Sequence, residues 1–524
     1  MSSSPSSAVP LSTNVLVIGG GPGGSYAAAA LAREGFQVTL LERDHFPRYH
    51  IGESMLPSCQ SFLRFIGAED KVRNYGFTIK VGGAVKLNQY KREGYTDFVA
   101  ENPNNYAWNV VRSEFDEILL RHAAENGASV YEGVRVASLE FSAEDNDKPV
   151  AADWVDDKGN TGKIQFDWLV DASGRNGIVS TRYLKNRKFN QSLKNMAMWS
   201  YWDSAEASVY GKGTSRENAP WFEALTDETG WAWFIPLHNG TVSVGVVMSE
   251  VSSRAKKAKL SEMGAAAMQE HYLTQLQLAP GLVGLLGKAQ QVGDVKSAGD
   301  YSYSADKYAG GNYRIVGDAG AFIDPFFSSG VHLAFAGGLS AAATISACIR
   351  GQCTAEEAAT FHTEKVGTSY TRFLLVVLGI YKQIRSQQAP VLSDINEDNF
   401  DRAFNFLRPI IQGIADTDSK LTADELDQTI EFCSHAVSPT TAEMHEKVVQ
   451  RLDQTLTGAD GPILAPRDVE SAMGDDEEAK SVLMKINSRK AMRRIHDWED
   501  NFQHESLGGF TVVLKQGSLG LERA

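Results

Sequence analysis

Apolar residues along this chain gather into short unbroken runs that end in glycine, and the order of those runs predicts the architecture. The first, Val15-Leu16-Val17-Ile18, has no polar interruption, which is the pattern of a strand covered on both faces. Gly19-Gly20-Gly21-Pro22-Gly23-Gly24 follows. An alanine-rich helix is predicted over residues 24–34, with Gly35 as its stop. A second apolar run, Val38-Thr39-Leu40-Leu41, ends in Glu42. Strand, glycine turn, helix and strand form a parallel β-α-β unit.

Further along, residues 63–75 read as a helix, and residues 76–86 as one strand with Lys80 among apolar neighbours. A second clear helix opens at Arg112, with Ser113 as its cap, Asp116 three residues on and Gly127 at its end. Residues 130–136 are a strand, and 142–148 a polar turn. Ile164, Phe166, Trp168 and Val170 alternate into Asp171-Ala172-Ser173-Gly174-Arg175. From 190 the pattern changes. Residues 196–202 and 231–237 are aromatic and strand-like, and His238-Asn239-Gly240 before a further apolar run marks a hairpin. Residues 254–287 are helical. Arg314-Ile315-Val316-Gly317-Asp318 returns to a buried strand and turn, and a helix of Gly, Ala and Ser runs on to Ile349. The rest is mostly helical, with Asp475-Asp476-Glu477-Glu478 as a solvated loop and an apolar tail over 510–521 that docks back.

These elements predict an α/β fold. Residues 1–12 are expected to be disordered. Residues 13–189 and 301–353 make a discontinuous Rossmann-type domain, and 190–300 an inserted antiparallel-sheet substrate domain. Residues 354–524 make a mostly helical C-terminal region covering the substrate site.

Gly19-x-Gly21-x-x-Gly24 between strand and helix, with an acid closing the next strand, is the dinucleotide fingerprint in its full context. Gly19 permits the turn, Gly21 lets backbone approach a pyrophosphate, and Gly24 lets helix lie on sheet. Glu42 is placed for ribose hydroxyls. The loop over 46–57 leaves this unit with Arg48, His50 and Glu53, and is either a surface connection or a set of cofactor contacts. Arg112, just before a helix, is either a surface arginine or a partner of phosphate or ribityl oxygens. Asp318 is placed for a polyol hydroxyl. By pattern alone Lys80 is a surface lysine, and Trp231, Trp233 and Ile235 are a core stripe.

The 524 residues suffice for two or three domains, and a net charge of −14 argues against a nucleic-acid partner. The four cysteines include no Cys-x-x-Cys and no metal-ligand spacing, so no metal is expected. The N-terminus lacks the basic start and apolar core of a signal peptide, and the apolar runs 373–381 and 332–349 are too short or too diluted to span a bilayer. A soluble cytoplasmic protein with no membrane partner is expected.

Three separated segments carry a resemblance. Trp231-x-Trp233-x-Ile235-Pro236 is similar to the Trp-x-Trp-x-Ile-Pro signature of flavin-dependent halogenases. Lys80, after Gly76-Phe77, falls where that family keeps its catalytic lysine. Asp324-Pro325-Phe326-Phe327-Ser328-Ser329-Gly330-Val331 is similar to the segment beside the isoalloxazine that binds halide. The chain resembles the fungal members acting on phenolic natural products. The glycine turn, Glu42, Arg112, the turn at 171–174 and Gly317-Asp318 are shared more widely with FAD-containing aromatic monooxygenases.

The resemblance implies FAD bound by Gly19, Gly21, Pro22, Gly23, Gly24, Glu42, Arg43, Arg48, Ile51, Ser54, Arg112, Val136, Asp318, Gly330 and Val331. It implies halide at Ser329 and Gly330, and a substrate side of Trp231, Trp233, Pro236 and Phe327. Tryptophan-halogenating members place Glu at the Phe327 position, so its absence agrees with a phenol, which carries its own oxygen donor. Family chemistry implies FADH2 from a separate NAD(P)H-dependent flavin reductase, O2, a flavin hydroperoxide and chloride or bromide. Hypohalous acid then passes down a tunnel to Lys80, which acts as ammonium or as chloramine at the other end of the molecule. The alternatives are an FAD-dependent aromatic hydroxylase and a non-catalytic FAD-binding protein.

Overall fold

The computed structural model describes residues 8–385 apart from 91, 100–101 and 263–267, residue 387, and residues 440–524 apart from 441, 459–460, 465 and 497–499. The disorder expected at the N-terminus therefore falls outside the described residues for 1–7. Ser12, placed in that stretch, instead opens β1 (Ser12–Ile18).

The glycine turn leads into α1 (Pro22–Arg33), which starts two residues earlier than predicted because Pro22 occupies the first helical position. Gly19 has φ +100°, and a Cβ on Gly24 would lie 1.9 Å from the Gly19 carbonyl oxygen. That contact is why helix and strand can meet this closely only through glycine. After β2 (Val38–Leu41), the helix predicted over 63–75 is broken at Gly67, whose φ of +79° ends α2 (Cys59–Ile66) before α3 (Glu69–Arg73).

The strand predicted over 76–86 is two strands in different sheets, β3 (Thr78–Lys80) and β4 (Gly82–Lys86). A Cβ on Gly82 would fall 2.4 Å from the Tyr95 hydroxyl on β5 (Gly94–Asp97), so glycine lets the chain cross there. β3 pairs with β6 (Ala107–Asn109), placing Lys80 opposite Ala107. α4 (Arg112–Glu125) has extended Val111 at its N-cap and no side-chain cap, which corrects the role given to Ser113. Asp116 is held by Arg112 and by Arg48 instead of closing a capping box.

Four strands follow: β7 (Ser129–Tyr131), β8 (Val134–Phe141), β9 (Pro149–Asp156) and β10 (Thr161–Asp171). β11 (Lys188–Asp203), β12 (Trp221–Ala224), β13 (Gly230–Pro236) and β14 (Thr241–Ser249) precede α5 (Glu250–Glu262), α6 (Met268–Leu276) and α7 (Pro280–Leu286). β15 (Gln291–Ser304), β16 (Tyr313–Ile315), α8 (Gly330–Ile349) and α9 (Ala355–Ile384) complete the framework.

One seven-stranded sheet runs β7-β2-β1-β10-β9-β8, with β16 also on β10; β7, β2, β1, β10 and β16 are parallel. The other seven-stranded sheet runs β15-β11-β14-β13-β12-β4-β5. It takes β4 and β5 from outside residues 190–300, and its β12–β4 pairing is parallel. Gly240 at φ +78° turns the hairpin that pairs Pro236 with Val242. Strand alternation divides this sheet. Ala232, Phe234, Val244 and Val246 pack under α6 and α7, while Trp231, Trp233 and Ile235 pack on α9.

α8 is long and apolar enough to cross a membrane by length and composition, yet 83% of its most apolar window is buried inside the fold. Its alanines and glycines lie on α1, where a Cβ on Gly338 would sit 2.9 Å from the Gly23 carbonyl oxygen. The acidic run is only partly a loop, since Glu477 and Glu478 open the helix Glu477–His496. The apolar tail forms a hairpin, Phe510–Val513 with Gly520–Arg523, and its Phe510, Val512 and Leu521 join the core of α1 and α8.

Candidate active site

The turn between β1 and α1 ends at Gly21, which caps the helix with no side-chain hydrogen bond, leaving its first N–H groups for an anion. Glu42 Oε2 accepts the Gly20 N–H at 2.5 Å, and its Oε1 accepts that of Asp44 at 2.9 Å. The acid assigned to ribose therefore also ties the end of β2 to the turn. Arg48 lies over Phe46, and its guanidinium is the nearest group to a Cβ built on Gly21, at 3.5 Å.

Arg48 and Arg112 share one buried acid. Asp116 accepts from Arg48 Nη1 at 2.9 Å and from Arg112 Nε and Nη2 at 2.8 and 3.0 Å. Burial opposes ionisation of Asp116, but the two arginines hold its carboxyl below the usual range. Arg112 Nη1 donates in addition to the carbonyls of Ile51 and Gly52, which fastens the loop over residues 46–57, a strap leading from the glycine-turn unit toward Lys80. His50 in that strap is lowered to about 4 by Arg112 and by burial, so it is neutral at physiological pH. Asp318 follows Gly317, whose φ is +58°, and faces Arg175, Arg112 and Arg187. The Arg43 side chain is 62% exposed and pairs with Asp44, and Val136 of β8 is buried in one cluster with Ile18 and Leu41, the last residues of β1 and β2.

Beyond Arg112, Ser54 Oγ, both amide atoms of Asn109 and Ser329 Oγ are buried without a hydrogen-bond partner among the described residues. Ser54 and Asn109 face each other across an isolated bridge. Native folds rarely leave such groups unmatched, so the concentration fits a polar-rimmed cofactor such as FAD between strap and α8. Glu53 Oε1 accepts from the Tyr201 hydroxyl at 2.7 Å, and burial pushes its carboxyl up to about 7.

Lys80 is 3% exposed. Its Nζ donates to the Met55 carbonyl at 2.8 Å, reaches Ser328 Oγ at 3.5 Å and lies 5.1 Å from the centre of the Phe98 ring. Burial lowers its pKa from 10.5 to about 7, and the Cys59 thiol opposes this only weakly. The surface position read from pattern alone is thereby corrected: pairing of β3 with β6 turns the lysine inward. The expectation that the amine stands at the opposite end from the halide segment is corrected too, since it touches Ser328, one residue before Ser329.

That segment is a tight turn. Asp324 caps a 3-10 turn over Pro325–Phe327, and Ser328 closes it in the left-handed region at φ +57°. α8 then starts with Ser329 at its N-cap and no side-chain cap, so the N–H groups of Gly330 and Val331 have no partner within the helix. Apart from its chain neighbours and the helix's own backbone, no atom of the described residues lies within 4 Å of a Cβ built on Gly330. Phe327 is half-buried and packs edge-on against Phe326.

Trp231 and Trp233 are buried, and the fold uses both indole N–H groups: Trp231 donates to the Tyr381 hydroxyl at 2.8 Å and Trp233 to Ser243 Oγ at 3.1 Å. Neither N–H group is therefore left for a substrate. Pro236 ends β13 opposite Val242. Sequence reasoning missed Met55, Phe98 and Tyr381, which no local pattern marks. It also read Asp116 as a capping residue, although its place one helical turn after Arg112 was a usable signal for an ion pair.

Comparison with known proteins agrees with this geometry. Residues 12–369 match the family described as FAD binding domain. The flavin-dependent halogenase armH1 of Armillaria mellea is 59% identical over 520 residues, 98% of this chain and 99% of that protein. The sulochrin halogenase gedL of Aspergillus terreus is 46% identical across 98% of this chain and 94% of its own length. The crystal structure of CmlS, a flavin-dependent halogenase, superposes with a TM-score of 0.66 at 27% identity, covering 81% of this chain and 73% of CmlS. With an FAD-binding domain, near-complete coverage and a buried lysine beside the halide-type turn, the chain belongs to the flavin-dependent halogenases.

Proposed function

We propose that the protein chlorinates or brominates a phenolic small molecule in the cytoplasm, using FADH2 delivered by a separate NAD(P)H-dependent reductase. The observation that carries this reading is the buried Lys80 amine against Ser328. FAD, reduced and exposed to O2, supplies the oxidant that converts halide to hypohalous acid. The glycine turn, Glu42, Arg48, Arg112 and Asp318 would hold it.

The uncapped amides of Gly330 and Val331 hold the halide anion without adding a cation. Lys80, with a pKa near 7, is substantially neutral at physiological pH and acts as a nucleophile. Its amine takes halogen from hypohalous acid and releases water, forming an N–X bond. The phenol ring then attacks that halogen, the N–X bond breaks, and the ring proton returns to the amine. The Met55 carbonyl orients the nitrogen throughout. A phenol oxygen feeds electron density to its ortho and para carbons, so the site needs no acid where Phe327 stands. Trp231 and Trp233 form a dry wall that protects the active halogen from water. The relative named as a sulochrin halogenase is in keeping with a phenolic substrate.

The direct test incubates the protein with FAD, a flavin reductase, bromide or chloride and a panel of phenols. A monohalogenated ring is the expected product, whereas a product that gains oxygen and no halogen contradicts the proposal.

Lys80→Met should abolish halogenation while FAD binding and peroxide release persist. It should also stabilise the protein. The unfolded chain binds the lysine proton up to about pH 10.5 and the folded state only to about pH 7. Folding therefore carries a penalty on the order of 5 kcal/mol that is complete below pH 7 and fades as pH rises toward 10.5. Thermal unfolding at pH 6.5 should show the variant above the parent, with the gap narrowing by pH 10; a variant melting lower at both pH values goes against this.

Gly330→Ala meets no atom of the described residues beyond its chain neighbours and its own helix backbone, and should leave stability within about 1 kcal/mol. Its methyl projects where halide and cofactor must approach, so KM for bromide should rise severalfold. An unchanged KM would remove the α8 N-terminus from the halide site.

A further inference from the structure

Four elements meet at one hydroxyl. Tyr381 on α9 donates to Asp324 Oδ2 at 2.6 Å and accepts from Trp231 Nε1 on β13 and Asn195 Nδ2 on β11, each at 2.8 Å. These three bonds use its one hydrogen and both oxygen lone pairs. Asn195 Nδ2 also reaches Asp324 Oδ2 at 3.2 Å, while Asp324 Oδ1 accepts the Phe326 N–H at 3.1 Å. The Asp324 N–H is tied to Ser302 Oγ at 3.0 Å. Asn195 and Asp324 are fully buried, and Trp231 and Tyr381 nearly so.

The network reaches two predicted parts of the site. The Trp231 ring meets Phe326 edge-on at 5.0 Å, so hydroxyl, indole and turn form a closed circuit. From Asp324 the turn is short and hydrogen-bonded: the Ser328 N–H returns to the Pro325 carbonyl at 2.9 Å, and Ser328 Oγ faces Lys80 Nζ at 3.5 Å. A shift at Tyr381 would move the indole wall and the halide-side backbone together. Misplacement by about 1 Å is enough to lower a reaction rate by orders of magnitude.

We propose that Tyr381 is a positioning residue that fixes the Trp231 indole and the Asp324–Ser328 turn relative to Lys80, so that oxidant made at the turn reaches the amine and is not lost as free hypohalous acid or peroxide. This rests on the halogenation reading above. The residue acts through Trp231 and Asp324, its hydrogen-bond partners.

Tyr381→Phe tests it, since the ring stays and only the hydroxyl leaves. FAD affinity and oxygen consumption should match the parent. KM for bromide should rise, and halogenated product per O2 consumed should fall, each about tenfold. The near-ultraviolet circular dichroism of the tryptophans should change in the single variant, but not between Trp231→Phe and the Trp231→Phe/Tyr381→Phe double variant. A merely structural tyrosine would lower the melting temperature without moving bromide KM, coupling ratio or the Trp231 signal, and that result overturns the proposal. If Tyr381→Phe does not fold, Asn195→Ser removes one donor from both Tyr381 and Asp324; the same changes at smaller size are expected, and unchanged KM and coupling overturn the proposal. A parent that does not halogenate at all would instead refute the reading of function, so the two failures are distinguishable.

Discussion

The site is organised by one unfavourable act, the burial of the Lys80 amine with a carbonyl, a hydroxyl and an aromatic face around it. An ammonium in such surroundings loses its hydration and gains only neutral dipoles, so the proton is held weakly. Some buried cations are paired with acids: Arg112 and Arg48 share Asp116, and Lys365 pairs with Glu505; fully buried Arg314, like Lys80, donates to neutral groups, Thr344 Oγ1 and the Gly310 and Tyr313 carbonyls. Lys80 differs from Arg314 in being a lysine, whose lower intrinsic pKa lets burial bring it to about 7. The closest partner of the amine is the Met55 carbonyl of the strap.

The strap couples the two halves of the chemistry. At one end Arg112 grips the carbonyls of Ile51 and Gly52; three residues beyond Gly52, Met55 receives the Lys80 N–H and donates its own N–H to the Trp108 carbonyl. Arg112 is itself fixed by Asp116 inside α4, so the cofactor side and the lysine side are referenced to one helix. The halide-type turn closes the third side, with Ser328 in a backbone region that non-glycine residues seldom occupy.

Much of this was legible in the sequence, for physical reasons that differ from residue to residue. The glycine turn reads directly because only glycine tolerates the Gly19–Gly24 contact. The hairpin at Asn239-Gly240 and the one-faced stripe of Trp231, Trp233 and Ile235 follow from strand period and turn chemistry. The burial of Lys80 was not legible from pattern, because the split between β3 and β4 depends on Tyr95, a partner more than ten residues away. Resemblance to a family, not periodicity, singled it out. Ser113 failed as a cap because α4 begins one residue before it, with extended Val111 at the N-cap. Tyr381 was invisible because its partners lie 57 to 186 positions away along the chain.

The titration of Lys80 tests the central claim most directly. With lysines carrying carbon-13 at Cε, and the Lys80 resonance assigned by its loss in Lys80→Met, the shift can be followed from pH 5 to 11. A midpoint near 7 is predicted from the burial of this amine. A midpoint close to the 10.5 of a solvated lysine would mean that the amine is fully charged at working pH, and would contradict the account.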